Sequence, residues 1–88
     1  MSPAPLEDVP GAVRAWVQGR ARELGVRDLA PDADLFERGL LDSVGLTALV
    51  AHVEARAGCR IDFLEVDPDA LGTVDGAATE LLRVARPR

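Results

Sequence analysis

Residues 42–58, DSVGLTALVAHVEARAG, decide the fold, because they contain a helix whose two ends are both marked. Asp42 is of a residue type that caps helix N-termini, and Gly58 supplies the left-handed position that commonly ends a helix. Between them, apolar residues recur at the period of one helix face, as 3.6 residues per turn requires. These residues are Leu46, Leu49, Val50, Val53 and Ala57. The stretch therefore predicts a helix over about 43–57.

The segments before and after residues 42–58 also have apolar residues at helical spacing. A first helix is predicted over about 8–24, where Pro10 falls in the first turn, which tolerates it, and the residue directly after the helix is a glycine, Gly25. Its apolar face consists of Val9, Val13, Trp16, Val17, Ala21 and Leu24. A last helix starts after Thr73, which can cap it. Its apolar face consists of Val74, Ala77, Ala78, Leu81 and Val84. Residues 67–71 predict a brief third helix, a capped single turn with proline at its first position.

A long loop over 26–42 follows the first helix. It carries Asp, Pro and Gly signals without sustained periodicity. A loop of about seventeen residues in a small domain is usually pinned by its own side chains or has a function, so we expect this one to be ordered. The apolar residues available to pin it are Leu29, Leu35, Phe36, Leu40 and Leu41. The predicted fold class is all-α, a bundle of three longer helices and one short helix with a long first loop.

Size and composition limit what such a bundle can do. With 88 residues, of which 48% are hydrophobic and 28% charged, the chain fits one small globular domain. We place that domain over 7–84, where Glu7 and Asp8 favour the positive end of the first helix, and expect 1–6 and 85–88 to be flexible termini. A domain this small has little room for the deep cleft of an enzyme, so we expect no catalytic activity.

Charge, hydropathy and cysteine content limit the binding partners and the cellular compartment that we expect for the protein. A net charge of −5 repels phosphate backbones, which argues against nucleic-acid binding. No apolar stretch approaches the roughly 20 residues that cross a bilayer. One cysteine cannot form an internal disulfide, and the first residues lack the layout of a signal peptide. We therefore expect a cytoplasmic monomer that binds neither nucleic acid nor membrane.

Ser43 is the residue with the most informative position. It follows the capping Asp42 at the mouth of the second helix, where we expect its hydroxyl to be exposed. Unpaired N–H groups at a helix start favour an anionic group there by roughly 0.3 to 1 kcal/mol. A phosphate ester on Ser43 would gain from this position, although many serines at helix starts carry no modification.

Residues 34–44, DLFERGLLDSV, resemble the carrier-protein signature around the serine that receives 4′-phosphopantetheine. The usual core of that signature is Asp-Ser-Leu, and Val44 stands here in place of the leucine. The order of helices and the long first loop extend the resemblance to an acyl carrier protein over about 7–84. The run is particularly similar to free-standing carriers such as D-alanyl carrier proteins and the discrete carriers of polyketide and nonribosomal pathways.

The resemblance implies an acyl-carrier-like four-helix bundle and a covalent modification of Ser43. A phosphopantetheinyl transferase would attach 4′-phosphopantetheine from coenzyme A to Ser43, with Asp42 as the adjacent motif residue. The arm would hold an intermediate as a thioester for an acyl- or aminoacyl-loading enzyme and downstream biosynthetic enzymes, in polyketide or related secondary metabolism. An aminoacyl or peptidyl carrier of a nonribosomal or D-alanyl-type pathway is the alternative within the family. An alternative of another class is a small helical interaction module without cofactor.

Other chemistries fit the sequence poorly. A serine hydrolase needs a base beside its nucleophile, but His52 lies nine residues from Ser43 along the predicted helix, about 13.5 Å away and on the opposite side. The Asp67 to Gly72 stretch imitates a calcium loop but lacks ligands at positions five and twelve, so we predict no metal site. We expect His52 to be a surface residue and Cys59 a small buried apolar one, and assign neither a role.

The second helix also carries an unusual uncharged run from Val44 to Ala51. Eight uncharged residues exceed the roughly 100° stripe that burial alone requires. We predict that an outer strip of this helix docks partner enzymes by shape and apolar contact. The outer strip consists of Val44, Thr47, Ala48 and Ala51.

Overall fold

The computed structural model describes Leu6 and residues 8–30 and 32–88 of the chain. Three α-helices build the fold: α1 (Asp8–Glu23), α2 (Ser43–Ala57) and α3 (Val74–Val84). The predicted helices are confirmed, and α1 packs against both α2 and α3. The core between them is aliphatic, with leucines and valines from all three helices fully covered. No helix in the described part of the chain is both long and apolar enough to cross a membrane.

Glycines in the left-handed conformation end the first two helices. Gly25 has φ +74°, and the N–H of Val26 behind it donates to the Ala21 carbonyl at 2.8 Å. Gly58 has φ +64°, and its N–H donates to the Glu54 carbonyl. Both positions satisfy carbonyls that a helix end leaves without partners, as the sequence predicted.

The loop after α1 is ordered and anchored in the core. Leu35, Leu40 and Leu41 are buried, whereas Phe36 remains 43% exposed, so the expectation that Phe36 pins the loop is wrong. The Leu35 carbonyl accepts from the N–H groups of Leu40 and Leu41, at 2.9 and 3.2 Å, and the Leu35 N–H donates to the Gly72 carbonyl at 2.7 Å. The end of the loop, up to Leu41, is thereby bonded through Leu35 to Gly72, shortly before α3.

The brief third helix is confirmed as a short element but not as an α-helix. A 3₁₀ turn, Pro68–Gly72, takes its place, and it is preceded by a first 3₁₀ turn, Phe63–Glu65, that the sequence did not predict. The Asp62 and Asp67 side chains cap them by accepting from the N–H groups of Leu64 and Asp69. Proline at the start and glycine at the end leave the second turn too short for α-helical bonds to extend. The four-helix bundle is therefore corrected to three α-helices with two 3₁₀ turns.

The all-α expectation is corrected by a small antiparallel sheet. Strand β1 (Cys59–Ile61) pairs with β2 (Ala85–Pro87), with Ile61 opposite Ala85. Both of these side chains are buried, so the pairing closes one end of the core. Three-residue strands carry too little alternation to be recognised in a sequence. The flexible terminus expected over 85–88 is thus a strand for most of its length.

At the other end, Leu6 does not fit the flexible terminus expected over 1–6. It packs against the core, and its carbonyl accepts from the Val9 N–H at 2.9 Å. Residues 1–5 and Glu7, expected as terminus and helix-start acid, lie outside the described residues.

Glu80 is a buried acid on α3 that is hydrogen-bonded to the segment preceding this helix. Its carboxylate accepts from the Asp67 N–H at 2.7 Å and from Arg83 Nε and Nη2 at 2.9 and 2.6 Å. These bonds, first those from Arg83 and then that from the Asp67 N–H, lower the pKa of Glu80 to about 2. The carboxylate is therefore charged at neutral pH despite its burial.

Candidate functional site

The start of α2 is fixed by Asp42. Its backbone is extended, at φ −142° and ψ −174°, and its Oδ1 accepts from the Gly45 N–H at 2.6 Å. The Asp42 carbonyl accepts from the Leu46 N–H at 2.7 Å. This is the geometry of an N-cap, which the sequence predicted. With Leu41 buried directly before it, the first turn of α2 has one defined position on the bundle.

Ser43 is the first residue inside this turn and is exposed. Its carbonyl accepts from Thr47 Oγ1 at 3.2 Å, and no hydrogen bond among the described residues engages its hydroxyl. The N–H groups of Ser43 and Val44 belong to the helix start, which provides no intrahelical acceptor for them. The site is therefore a free hydroxyl beside the positive end of a helix of 15 residues.

The outer strip faces solvent over its whole length. Val44 is 80% exposed, and Thr47, Ala48 and Ala51 are exposed as well. The first turn of α2 contains no acid. Acids lie instead in the preceding loop, where Asp32, Asp34 and Glu37 are exposed. The strip is thus an uncharged surface directly beside Ser43, and the loop that precedes α2 in the sequence carries exposed acids.

A groove between α1 and α2 is the feature that sequence reasoning missed. It has a volume of about 430 Å³ and borders Asp42 and Val44, the two neighbours of Ser43. Its remaining lining consists of Ala15, Trp16, Gly19, Arg20, Glu23, Gly45 and Ala48. The signal that could have revealed it is the spacing of small residues on both helices, which leaves room where larger side chains would interlock.

His52 does not meet Ser43. Because α2 is continuous, the nine residues between them correspond to about 13.5 Å along its axis. His52 is half-buried, so the expected surface position is only partly correct, and its Nε2 is buried without a hydrogen-bond partner among the described residues. The single histidine of the chain cannot act as a base for the serine.

Cys59 is buried at the start of β1, as the sequence predicted. Burial raises the pKa of its thiol, Glu54 raises it further, and Arg88 partly opposes both. A covered, protonated thiol is a poor nucleophile. Cys59 therefore belongs to the packing of the domain.

Comparison with known proteins gives a family for this arrangement. Residues 20–81 match the model of the family described as phosphopantetheine attachment site. The matched range contains the loop, α2 and most of α3. No solved structure matches the chain.

Two curated relatives are D-alanyl carrier proteins. The protein of Bacillus velezensis is 37% identical over 51 residues, and that of Bacillus subtilis is 35% identical over 51 residues. Each match covers 58% of this chain and 65% of the relative, so the chain spans slightly less than two thirds of the relatives' length.

Proposed function

The chain belongs to the phosphopantetheine attachment-site family, its cofactor is covalently attached 4′-phosphopantetheine, and we propose that Ser43 is the residue that carries it. The observation that carries this proposal is the free, exposed hydroxyl of Ser43 at the capped start of α2. The chain contains one other serine, Ser2, which precedes the family match.

The residues around Ser43 fit a phosphodiester. The N–H groups of the first turn of α2 point toward the N-terminal side, where an anion is favoured by about 0.3 to 1 kcal/mol. Asp42 satisfies the Gly45 N–H through its own carboxylate and so keeps the turn in place. The open surface beside Ser43 gives a transferase access to the hydroxyl.

When bound, the cofactor supplies a thiol on which an acyl or aminoacyl group can be held as a thioester. The chain's own part is to present Ser43 on a rigid helix start, while the outer strip offers a docking surface for modifying and loading enzymes. The bundle itself is non-catalytic in this proposal, and His52 is too far from Ser43 to assist a reaction there.

For the cargo, we favour an aminoacyl group of the D-alanyl type. Both curated relatives are D-alanyl carrier proteins, and neither is a polyketide carrier. The alternative that the sequence analysis placed second is therefore the better supported one. Family membership also argues against an interaction module without cofactor.

The test of attachment is the intact mass after incubation with coenzyme A, magnesium and a phosphopantetheinyl transferase of broad specificity. The wild-type chain is expected to gain the mass of the arm, and the Ser43→Ala variant none. The matched control is Thr47→Ala, which removes an exposed hydroxyl one turn further along α2 and is expected to leave the gain intact. Modification of Ser43→Ala would place the attachment elsewhere.

A second step tests the cargo. The modified protein is incubated with D-alanine, ATP and a D-alanine-activating enzyme or, in a separate reaction, with an acyltransferase and its malonyl substrate. We expect a mass increase corresponding to alanine in the first reaction. Efficient malonyl loading without alanine loading would contradict the D-alanyl assignment and leave the attachment at Ser43 unaffected.

A further inference from the structure

Two glycines line the groove between α1 and α2. A Cβ atom at Gly45 would lie 3.1 Å from Oδ1 of Asp42 and 3.5 Å from Cη2 of Trp16, in contact with the indole ring. A Cβ atom at Gly19 would have no neighbour within 4 Å. The absence of a side chain at Gly45 thus leaves space beside Trp16, and Gly19 adds an open stretch of the α1 wall.

The groove is continuous with the attachment site. Asp42 and Val44, which precede and follow Ser43, both line it. Val44 is 80% exposed, so its apolar side chain is accessible to a group that lies in the groove. A chain attached to Ser43 therefore starts at the edge of a partly apolar groove that has an aromatic ring in its wall.

We infer that the pantetheine arm rests in this α1–α2 groove when no enzyme is docked, an inference that depends on the proposed attachment at Ser43. The arm combines methyl and methylene groups with two amides, so one side can cover Trp16 and Val44 while its polar groups stay in water. Covering apolar surface of this kind is favourable without demanding a fixed set of hydrogen bonds.

Tethering makes a weak contact sufficient. A group joined to its binding surface through a short flexible linker has an effective concentration in the millimolar range. The groove therefore needs little intrinsic affinity to hold the arm for much of the time, and a docking enzyme can still withdraw it. Since Val44 and Ala48 belong to both the groove and the outer strip, docking would compete with the resting position.

The groove lining carries one cation, Arg20, and two acids, Glu23 and Asp42. The Arg20 guanidinium lies 3.6 Å from the Glu23 carboxylate, so the two charges form an ion pair at the wall of the groove. The lining therefore offers the arm apolar surface rather than a positive charge for its phosphodiester.

A larger groove of about 880 Å³ lies on the other side of α1, next to α3 and the loop. No residue of α2 lines it, and neither neighbour of Ser43 borders it. It is therefore the less favourable place for a chain that starts at Ser43. Gln18 faces this larger groove, whereas Gly19, the next residue, faces the α1–α2 groove.

This pair of residues allows a matched test. Gly19→Cys and Gln18→Cys are made separately in a Cys59→Ala background, and each is converted to the form bearing the arm, as verified by intact mass. In a glutathione redox buffer, oxidised glutathione takes up two electrons as the arm thiol and the introduced thiol each lose a proton and join, and two glutathione molecules are released. The disulfide fraction at equilibrium gives the effective concentration of the arm at each position.

We expect the effective concentration at Gly19→Cys to be at least tenfold higher than at Gln18→Cys. Equal values would mean that the arm moves freely in solvent, and a higher value at Gln18→Cys would place it in the larger groove. Either result would overturn the resting position while leaving the attachment at Ser43, already verified by mass, intact. Failure to gain the arm at all would count against the proposed function instead.

A second measurement uses the wild-type protein and therefore does not depend on the folding of the cysteine variants. Trp16 is the single tryptophan of the chain, so its fluorescence reports this groove alone. Attachment of the arm to the wild-type protein is expected to reduce quenching of Trp16 by acrylamide. Unchanged quenching in the fully modified protein would contradict the resting position independently.

Discussion

The Asp42 carboxylate accepts a hydrogen bond from the Gly45 N–H at 2.6 Å, and Ser43 lies inside the turn that this bond closes. The same turn is bonded a second time, through the Asp42 carbonyl and the Leu46 N–H. One acidic side chain thus both begins α2 and holds the proposed attachment residue in place. Fold and site are therefore coupled at this position.

Replacing Asp42 is expected to affect stability and modification together. Asp42→Ala removes the cap, which costs about 1 kcal/mol of stability, so we expect a lower melting temperature. Because the transferase then meets a less ordered turn, we also expect a lower rate of modification. Asp42→Asn is the control, because asparagine caps about as well but carries no charge. Normal stability with slow modification in Asp42→Asn would show a role of the charge. Unchanged values for Asp42→Ala in both measurements would remove Asp42 from the site.

Acids introduced into the outer strip are expected to slow loading without unfolding the protein. Ala48→Glu and Ala51→Glu place a charge on an exposed position, where folding tolerates it, but bring it into an apolar contact when a loading enzyme docks. Thr79→Glu makes the same charge change at an exposed position on α3 and serves as the control. Since Ala51 does not line the α1–α2 groove, a loss there reports docking alone.

The salt dependence of the same loading reaction gives a separate check. An apolar contact is expected to change little between low and moderate salt, whereas ion pairs weaken as the Debye length shortens. Normal loading of both glutamate variants, or a collapse of wild-type loading in modest salt, would contradict docking on the outer strip. Either result would mean that the loading enzyme recognises the acids of the preceding loop. Those acids are Asp32, Asp34 and Glu37.

Adjacent residues in the loop are expected to differ sharply in their effect on stability. Leu35 is fully buried, so Leu35→Ala is expected to lower the free energy of unfolding by about 2 to 5 kcal/mol. Phe36 is 43% exposed, and Phe36→Ala is expected to cost much less despite the larger side chain that it removes. Urea unfolding of both variants measures the difference. A larger loss in Phe36→Ala would mean that the phenylalanine, not the leucine, anchors the loop.

Glu80 is expected to make stability fall in acid. Its pKa is lowered from 4.5 to about 2 in the folded chain, so its stabilising effect is present above pH 4.5 and is lost as pH falls from there toward 2. Glu80→Gln removes this titration, and the variant is expected to lose less stability than the wild type between about pH 5 and about pH 3. Urea midpoints at the two pH values provide the comparison. Equal losses would assign the acid sensitivity to other carboxylates.

Much of this protein follows from local sequence signals. The bounds of α2 could be predicted because an Asp cap and a terminating glycine flank a continuous apolar period, and each of these signals acts within one or two helix turns. Ser43 could be singled out for the same reason, since its position relative to Asp42 places it at a helix start wherever that helix lies. The resemblance of residues 34–44 to a carrier signature likewise depends only on consecutive residues.

Features that join distant segments were decided by the tertiary structure. The β1–β2 pairing brings Ile61 and Ala85 together, although neither three-residue strand carries a pattern of its own. Phe36 and Leu35 have equal claims to burial in the sequence, and only the bond from Leu35 to Gly72 and the packing around it determine which one enters the core. The α1–α2 groove exists because Trp16 meets Gly45 across two helices, a contact that depends on how the helices pack. Hydrogen bonds within a turn depend on neighbouring residues and can be read from them, whereas burial, strand pairing and grooves depend on the relative position of whole elements, which the complete fold alone fixes.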